Sequence, residues 1–226
     1  MTADEIAARI QHTNVRPEAS RTDVERLLAE SLEHGFNGAM VNPIWLPLAA
    51  AGLKGSSVRV CTALDFPMGG ATTATVVGQV AEALRAGAQE IDVMTKVGWL
   101  KAGMEGEYRA HLAAVVSAAE GAPVKAMLEA GLLTSDELAR AVELAVEAGV
   151  SHVKNSSGFG GGDVTPELVS ELRRLAGGRV GVKASGGIRT REEAEALLAA
   201  GADLLGSSAG VRIVAGAAGP ASSDAY

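Results

Sequence analysis

The chain has 226 residues, 47% hydrophobic and 21% charged, with a formal net charge of −7. That length suits one large core or two small ones, and the lack of a basic stripe or of an apolar run of membrane-spanning length argues against nucleic-acid and membrane partners. A single cysteine, Cys61, excludes an intrachain disulfide, and an acidic amphipathic start, MTADEIAARI, in place of a signal peptide makes the cytoplasm the expected compartment.

The opening residues read as a short N-terminal helix. From there, short apolar runs alternate with amphipathic stretches. Strands are predicted at 11–15, 36–42, 58–64, 89–94, 122–128, 150–155, 179–184 and 202–206. Ser20, Thr72, Thr134 and Thr190 precede helical patterns as N-caps, and Thr134 with Glu137 forms a capping box. Gly35, Gly87, Gly121, Gly149, Gly178 and Gly201 each stand between a helix and the next strand, where positive φ is expected. The phrase recurs as AGAQEIDV, AGVSHVKN and AGADLLGS, at a spacing of about 30 residues, the size of a βαβ unit. The composition, with 28 glycines and only 3% aromatics, suits short turns and helices packed tightly on a parallel sheet. Eight strands alternating with helices predict an α/β protein, a (β/α)8 TIM barrel spanning 1–214 as one domain. If QHTNV is not a strand, an open doubly wound sheet is the alternative. Residues 215–226, AGAAGPASSDAY, are expected to form a flexible C-terminal tail.

In such a barrel the site lies at the carboxyl ends of the strands. The chain has only six lysines, and three of them, Lys125, Lys154 and Lys183, fall inside strand-like runs at intervals of 29 residues. One βα unit apart, they are expected at equivalent places on consecutive strands. A buried ammonium must be paired or used. The structural alternative is that each pairs with a barrel carboxylate such as Asp92 or Glu129. Lysines clustered in a partly dry mouth repel one another and favour the neutral amine, the form that attacks carbonyls. Asp92, in QEIDVM, is either a structural partner, a proton carrier, or both.

Three glycine-rich segments follow late strands: NSSGFGGGD, ASGGIRT and GSSAGVR. Such turns expose backbone N–H groups to anions, and barrels commonly hold phosphate after strands 7 and 8. Cys61 reads as a small core residue. His12, His34, His111 and His152 lack metal-ligand spacing, and His12 either reaches the site or is structural. Trp45 and Trp99 read as packing or mouth residues. Lys96 is open between a substrate cation and a solvated loop charge.

The segments HGFNGAMVNPIWLPLAA, GAQEIDVM, VKAMLEAGLLT, HVKNSSGF, GVKASGGIRT and LLGSSAGVRIV, in this order, resemble the deoxyribose-phosphate aldolase family from near the start of the chain to its end. The resemblance implies reversible cleavage of 2-deoxy-D-ribose 5-phosphate to acetaldehyde and D-glyceraldehyde 3-phosphate, with no metal or organic cofactor. It assigns Lys154 as the Schiff-base lysine. Lys183 becomes the second lysine, which favours the neutral form of the first and aids proton transfer, and Asp92 the acid/base carboxylate. Gly158, Gly186, Gly187, Gly206, Ser207 and Ser208 fall where the family holds phosphate, and Thr13, Asn42, Lys125 and Ser156 complete the expected substrate-binding set. Tyr226 matches the terminal tyrosine of some members, whose hydroxyl helps exchange the enamine proton. The implied partners are small aldehydes and sugar phosphates, with a homodimer formed through exposed helices.

Departures from the family pattern cluster near the expected mouth. Gln11 stands where an aspartate is usual, in Gln11-His12-Thr13-Asn14-Val15-Arg16-Pro17. Asn155 and Ser157 replace threonines, Met40 a common cysteine and Asp65 a usual glycine. Thr95, Lys96 and Trp99 replace mostly small or apolar residues. These changes bear on the substrate more than on the chemistry. The competing expectations are a Schiff-base aldolase for another aldehyde pair and a non-catalytic sugar-phosphate-binding protein.

Overall fold

Thr2, Ser20, Thr134 and Thr190 each accept a hydrogen bond from the backbone N–H three residues on, and the acidic side chain at that position accepts one from the cap N–H. These reciprocal caps start α1 (Ala3–Ala7), α2 (Arg21–His34), α7 (Ser135–Glu147) and α9 (Arg191–Ala199), the last three at the caps expected from sequence. Thr72 caps α4 (Thr73–Arg85) and Thr165 caps α8 (Pro166–Ala176). The remaining helices are α3 (Leu46–Gly52), α5 (Val97–Lys101), α6 (Glu105–Ala118) and α10 (Gly210–Ala215). All six glycines expected after helix ends have positive φ.

The computed structural model describes residues 1–160 and 163–216. Its strands are β1 (Ile10–Asn14), β2 (Gly38–Val41), β3 (Arg59–Leu64), β4 (Glu90–Met94), β5 (Val124–Met127), β6 (His152–Lys154), β7 (Gly181–Ser185) and β8 (Leu204–Ser207). All pair in parallel in sequence order, and β8 returns to β1 through Ile10–Leu205 and His12–Ser207. The segment QHTNV is therefore the closing strand, and the open-sheet alternative falls. The last helix ends at Ala215, and the rest of the expected tail, 217–226, lies outside the described residues. No helix among the described residues is long and apolar enough to cross a membrane.

Alternation along each strand divides two environments. Outward side chains such as Ala39, Val41, Val60, Ile91, Val93, Ala126, Val153, Val182 and Leu205 join the main core between barrel and helices. Inward residues split again. Met40, Cys61, Ala63, Met94 and Met127, with Val15, form a small apolar cluster. Gln11, Glu90, Asp92, Lys125, Lys154 and Lys183 form a buried polar one.

Candidate active site

Asp92 on β4 is the hub of the inward polar cluster. Its side chain is completely buried, with Oδ2 2.7 Å from Lys183 Nζ and 3.1 Å from Lys154 Nζ, and Oδ1 3.4 Å from Lys125 Nζ. Burial alone would raise its pKa, but the ammonium groups of Lys183, Lys154 and Lys125 outweigh it and hold the carboxyl far below the usual range. The register places Lys154 directly beside Lys183, whereas Lys125 pairs with His152. The expected equivalence of the three lysines thus holds for two. Lys125 sits one inward position lower, because the strands of a barrel are staggered.

Lys125 donates to Glu90 Oε2 at 2.5 Å. Burial works against its charge, yet the Asp92 and Glu90 carboxylates hold its pKa above the ordinary value. Lys183 goes the other way: burial, reinforced by Lys154 and Lys125 and opposed by Asp92, lowers it to about 8. Lys154 alone of the three lines the cavity above. Its Nζ also lies 3.3 Å from the thioether of Met127.

That cavity, of about 430 Å3, has an apolar wall formed by Val15, Met40, Ala63 and Phe66 and a polar end at the carboxyl ends of β7 and β8. Two glycines there are closely approached by side chains. A Cβ on Gly187 would lie 2.0 Å from Asp163 Oδ1, and one on Gly206 would lie 2.3 Å from Ser185 Oγ. Asn155 fixes the β7 end by a two-way clamp: it accepts from Ser185 N and donates to Ser185 O, both at 2.8 Å. Ser185 Oγ is buried with no hydrogen-bond partner and lines the cavity. Ser207 Oγ donates to Ile188 O at 2.7 Å, which ties the two late turns together.

The cavity gathers Thr13, Lys154, Gly158, Gly186, Gly187, Gly206, Ser207 and Ser208 from the expected set. Lys183 and Asp92 lie immediately beneath, bound to each other and to Lys154 through the carboxylate. Lys125, Asn42 and Ser156 do not line it. Lys125 is sealed under the floor, Asn42 donates to Arg16 O at 3.0 Å beside a neighbouring cleft, and Ser156 Oγ donates to Ser185 O at 3.2 Å. Tyr226 lies outside the described residues.

Two cations at the site were not singled out from sequence, and His12 and Glu129, left open there, find their places. Arg189 and Arg212 line the polar end, and Arg189 Nη1 contacts Asp163 Oδ2 at 3.1 Å. His12 lines the cavity with Nε2 2.8 Å from Glu30 Oε2 and Nδ1 3.3 Å from Ser207 O. Glu129 pairs with no lysine. It accepts from the backbone N–H of Ser157 at 3.2 Å. Among the described residues no group of three or more His, Cys, Asp or Glu side chains is placed to hold a metal ion.

A closed parallel barrel whose ionisable side chains converge at the carboxyl ends of its strands defines the class, a TIM-barrel enzyme. Residues 6–217 match the DeoC/LacD family of aldolases. The chain is 43% identical over 212 residues to a deoxyribose-phosphate aldolase of Geobacillus sp. strain WCH70, covering 93% of this chain and 95% of that protein. It is 44% identical over 210 residues to one from Bacillus cereus strain AH187, covering 92% and 94%. A solved deoxyribose phosphate aldolase from Aeropyrum pernix, described as tetrameric, superposes with a TM-score of 0.89 at 31% identity, covering 95% of this chain and 91% of that one. The chain belongs to the DeoC/LacD aldolase family.

Proposed function

We propose that the protein is a class I aldolase that reversibly cleaves 2-deoxy-D-ribose 5-phosphate to acetaldehyde and D-glyceraldehyde 3-phosphate. The observation that carries this reading is one carboxylate, Asp92, shared by three lysines of which only Lys154 faces the cavity.

The Lys154 amine attacks the C1 aldehyde of the open-chain sugar. Loss of water from the carbinolamine leaves a protonated imine. Removal of the proton from the C3 hydroxyl breaks the C2–C3 bond, and its electron pair flows into the imine to give an enamine. Glyceraldehyde 3-phosphate departs. Protonation of the enamine carbon and hydrolysis then release acetaldehyde and restore the amine. Asp92 and Lys183, 2.7 Å apart, supply the proton relay for these steps. The turns at Gly186-Gly187 and Ser207-Ser208, with Gly158, present backbone N–H groups to the phosphate, and Arg189 and Arg212 supply cations in a chain that is acidic overall. Thr13 and Ser185 face the sugar hydroxyls.

The test is mass spectrometry after borohydride treatment with acetaldehyde. A reduced ethyl adduct on Lys154 is expected, and none in Lys154→Arg, whose guanidinium stays protonated. That variant keeps the fold and loses roughly 10^4-fold or more in turnover. Turnover near the unsubstituted rate in Lys154→Arg would refute the assignment. A second reading, the same imine chemistry on another aldehyde pair, is favoured by the Asp65–Lys96 ion pair, which braces the loop carrying Phe66 into the cavity. Rates across a panel of sugar phosphates separate the two.

A further inference from the structure

Five side chains from four strands close a ring beneath the cavity floor. Lys183 Nζ donates to Gln11 Oε1 at 2.5 Å and to Asp92 Oδ2 at 2.7 Å. Asp92 Oδ1 lies 3.4 Å from Lys125, which donates to Glu90 Oε2 at 2.5 Å. The same Glu90 oxygen accepts from Gln11 Nε2 at 2.8 Å, completing the circuit. Lys154 joins from the cavity side through Asp92 Oδ2.

Other titratable groups face the ring from β3 and β6. Cys61 is neutral, its thiol pushed up to about 12 chiefly by burial. Burial and then Lys125 lower the pKa of His152, which favours the neutral ring. Arg59, half exposed, lies 3.2 Å from Glu90 Oε1. The strands β2, GAMV, and β8, LLGS, carry no ionisable side chain. The buried set therefore offers three amines but only two carboxylates, and Arg59 adds positive charge at the edge.

Gln11 occupies the one ring position that joins a lysine to a carboxylate without a charge of its own. Its amide orientation is dictated by its partners. Nε2 faces two acceptors, Glu90 Oε2 and Asn37 Oδ1, so Oε1 faces Lys183. An amide oxygen accepts from an ammonium or from a neutral amine, and carries no net charge to hold the proton on. A carboxylate at that point would favour the ammonium.

We propose that Gln11 is a positioning residue for the aldolase reaction: it links Lys183 to Glu90 while leaving the lysine cluster one carboxylate short, so that one amine releases its proton well below the ordinary lysine range. This rests on the proposed Schiff-base reading. The depressed pKa of Lys183, about 8, accords with it. The displaced proton goes to solvent through the cavity.

The experiment compares the intact chain with Gln11→Glu and Gln11→Leu. Glutamate matches the shape and adds the missing charge. Leucine removes the hydrogen bonds and adds none. With lysines labelled at 13Cε, one buried lysine of the unsubstituted protein should titrate well below the ordinary range. Gln11→Glu should raise that midpoint by about one pH unit or more, because added negative charge favours the protonated form. Gln11→Leu should leave it within a few tenths of a unit, although stability falls. The acid limb of kcat/KM for 2-deoxyribose 5-phosphate should move in parallel. Near pH 7 the Gln11→Glu rate should drop about ten-fold and should rejoin the unsubstituted rate at high pH. The proposal is overturned if no buried lysine of the unsubstituted chain titrates low, if Gln11→Glu leaves the midpoint in place, or if Gln11→Leu moves it as far as Gln11→Glu does. The titration needs no substrate, so it judges Gln11 even if borohydride trapping were to sink the aldolase reading.

Discussion

Cys61 illustrates how little a residue's position alone says about its chemistry. It points into the barrel, one strand from the charged cluster, yet its side chain is wholly buried and its thiol is pushed up to about 12, first by burial. The sulfur that does line the cavity is the thioether of Met40, which cannot act as a thiolate. The native protein should therefore form no thiol adduct when incubated for hours with iodoacetamide or crotonaldehyde, whereas the guanidinium-unfolded chain should be modified at Cys61 at once. Intact-mass analysis decides, and a native adduct at the unfolded rate would overturn this account. At this scale much of the candidate site was legible. The 29-residue interval located Lys154 and Lys183 on neighbouring strands, and the apolar setting of QEIDVM marked Asp92. Glu90 could have been found by the same reasoning, since two-residue alternation puts it on the face of Asp92. What alternation does not report is which charges meet across the barrel. Gln11 and Lys183 are 172 positions apart in sequence and touch because β8 closes onto β1.

Among the elements, the loop between β3 and α4 departs most from expectation. Sequence left Lys96 open between a substrate cation and a solvated charge, and it is neither. Its ammonium bonds the Asp65 carboxylate, Gly69 O at 2.9 Å and Ala71 O at 2.6 Å, while Asp65 Oδ1 accepts from Ala71 N at 2.9 Å. Both side chains of the pair are 6% exposed. Two departures from the family pattern, 31 residues apart, are thus one interaction. The pair staples the loop, which presents Phe66 to the cavity and sets its ring edge-on to Phe159 at 5.2 Å. Lys96→Met should destabilise by about 3–5 kcal/mol, because it strands a buried carboxylate, and should raise KM as Phe66 loosens. Adding Asp65→Gly should restore at least half of the loss. It removes the orphaned charge, and glycine suits the φ of 54° held at that position. Urea unfolding of the single and double variants reads this directly, and strictly additive losses would mean that the two residues do not act together.

For the whole molecule, the number and order of strands were readable from helix caps, turn glycines and the recurring repeat, and the (β/α)8 barrel follows from them. Strand limits were less so. The expected 36–42 is trimmed to Gly38–Val41 and 150–155 to His152–Lys154. Hydrophobic pattern continues past the last ladder pair, but side chains take over the backbone groups there, as Asn155 does with Ser185. The division between a sealed charged ring and a cavity end that opens toward solvent has a consequence in ionic strength. Ring members touch one another at 2.5–3.4 Å with no solvent between them, so mobile ions do not reach them. The Arg189 side chain is 33% exposed, and over a Debye length of about 10 Å at 0.1 M its attraction for a dianion is screened. Raising sodium chloride roughly ten-fold should increase KM for a phosphorylated substrate severalfold and leave kcat and the midpoint of its pH profile in place. An unphosphorylated aldehyde pair, run as the control in the same salt series, should show a constant KM.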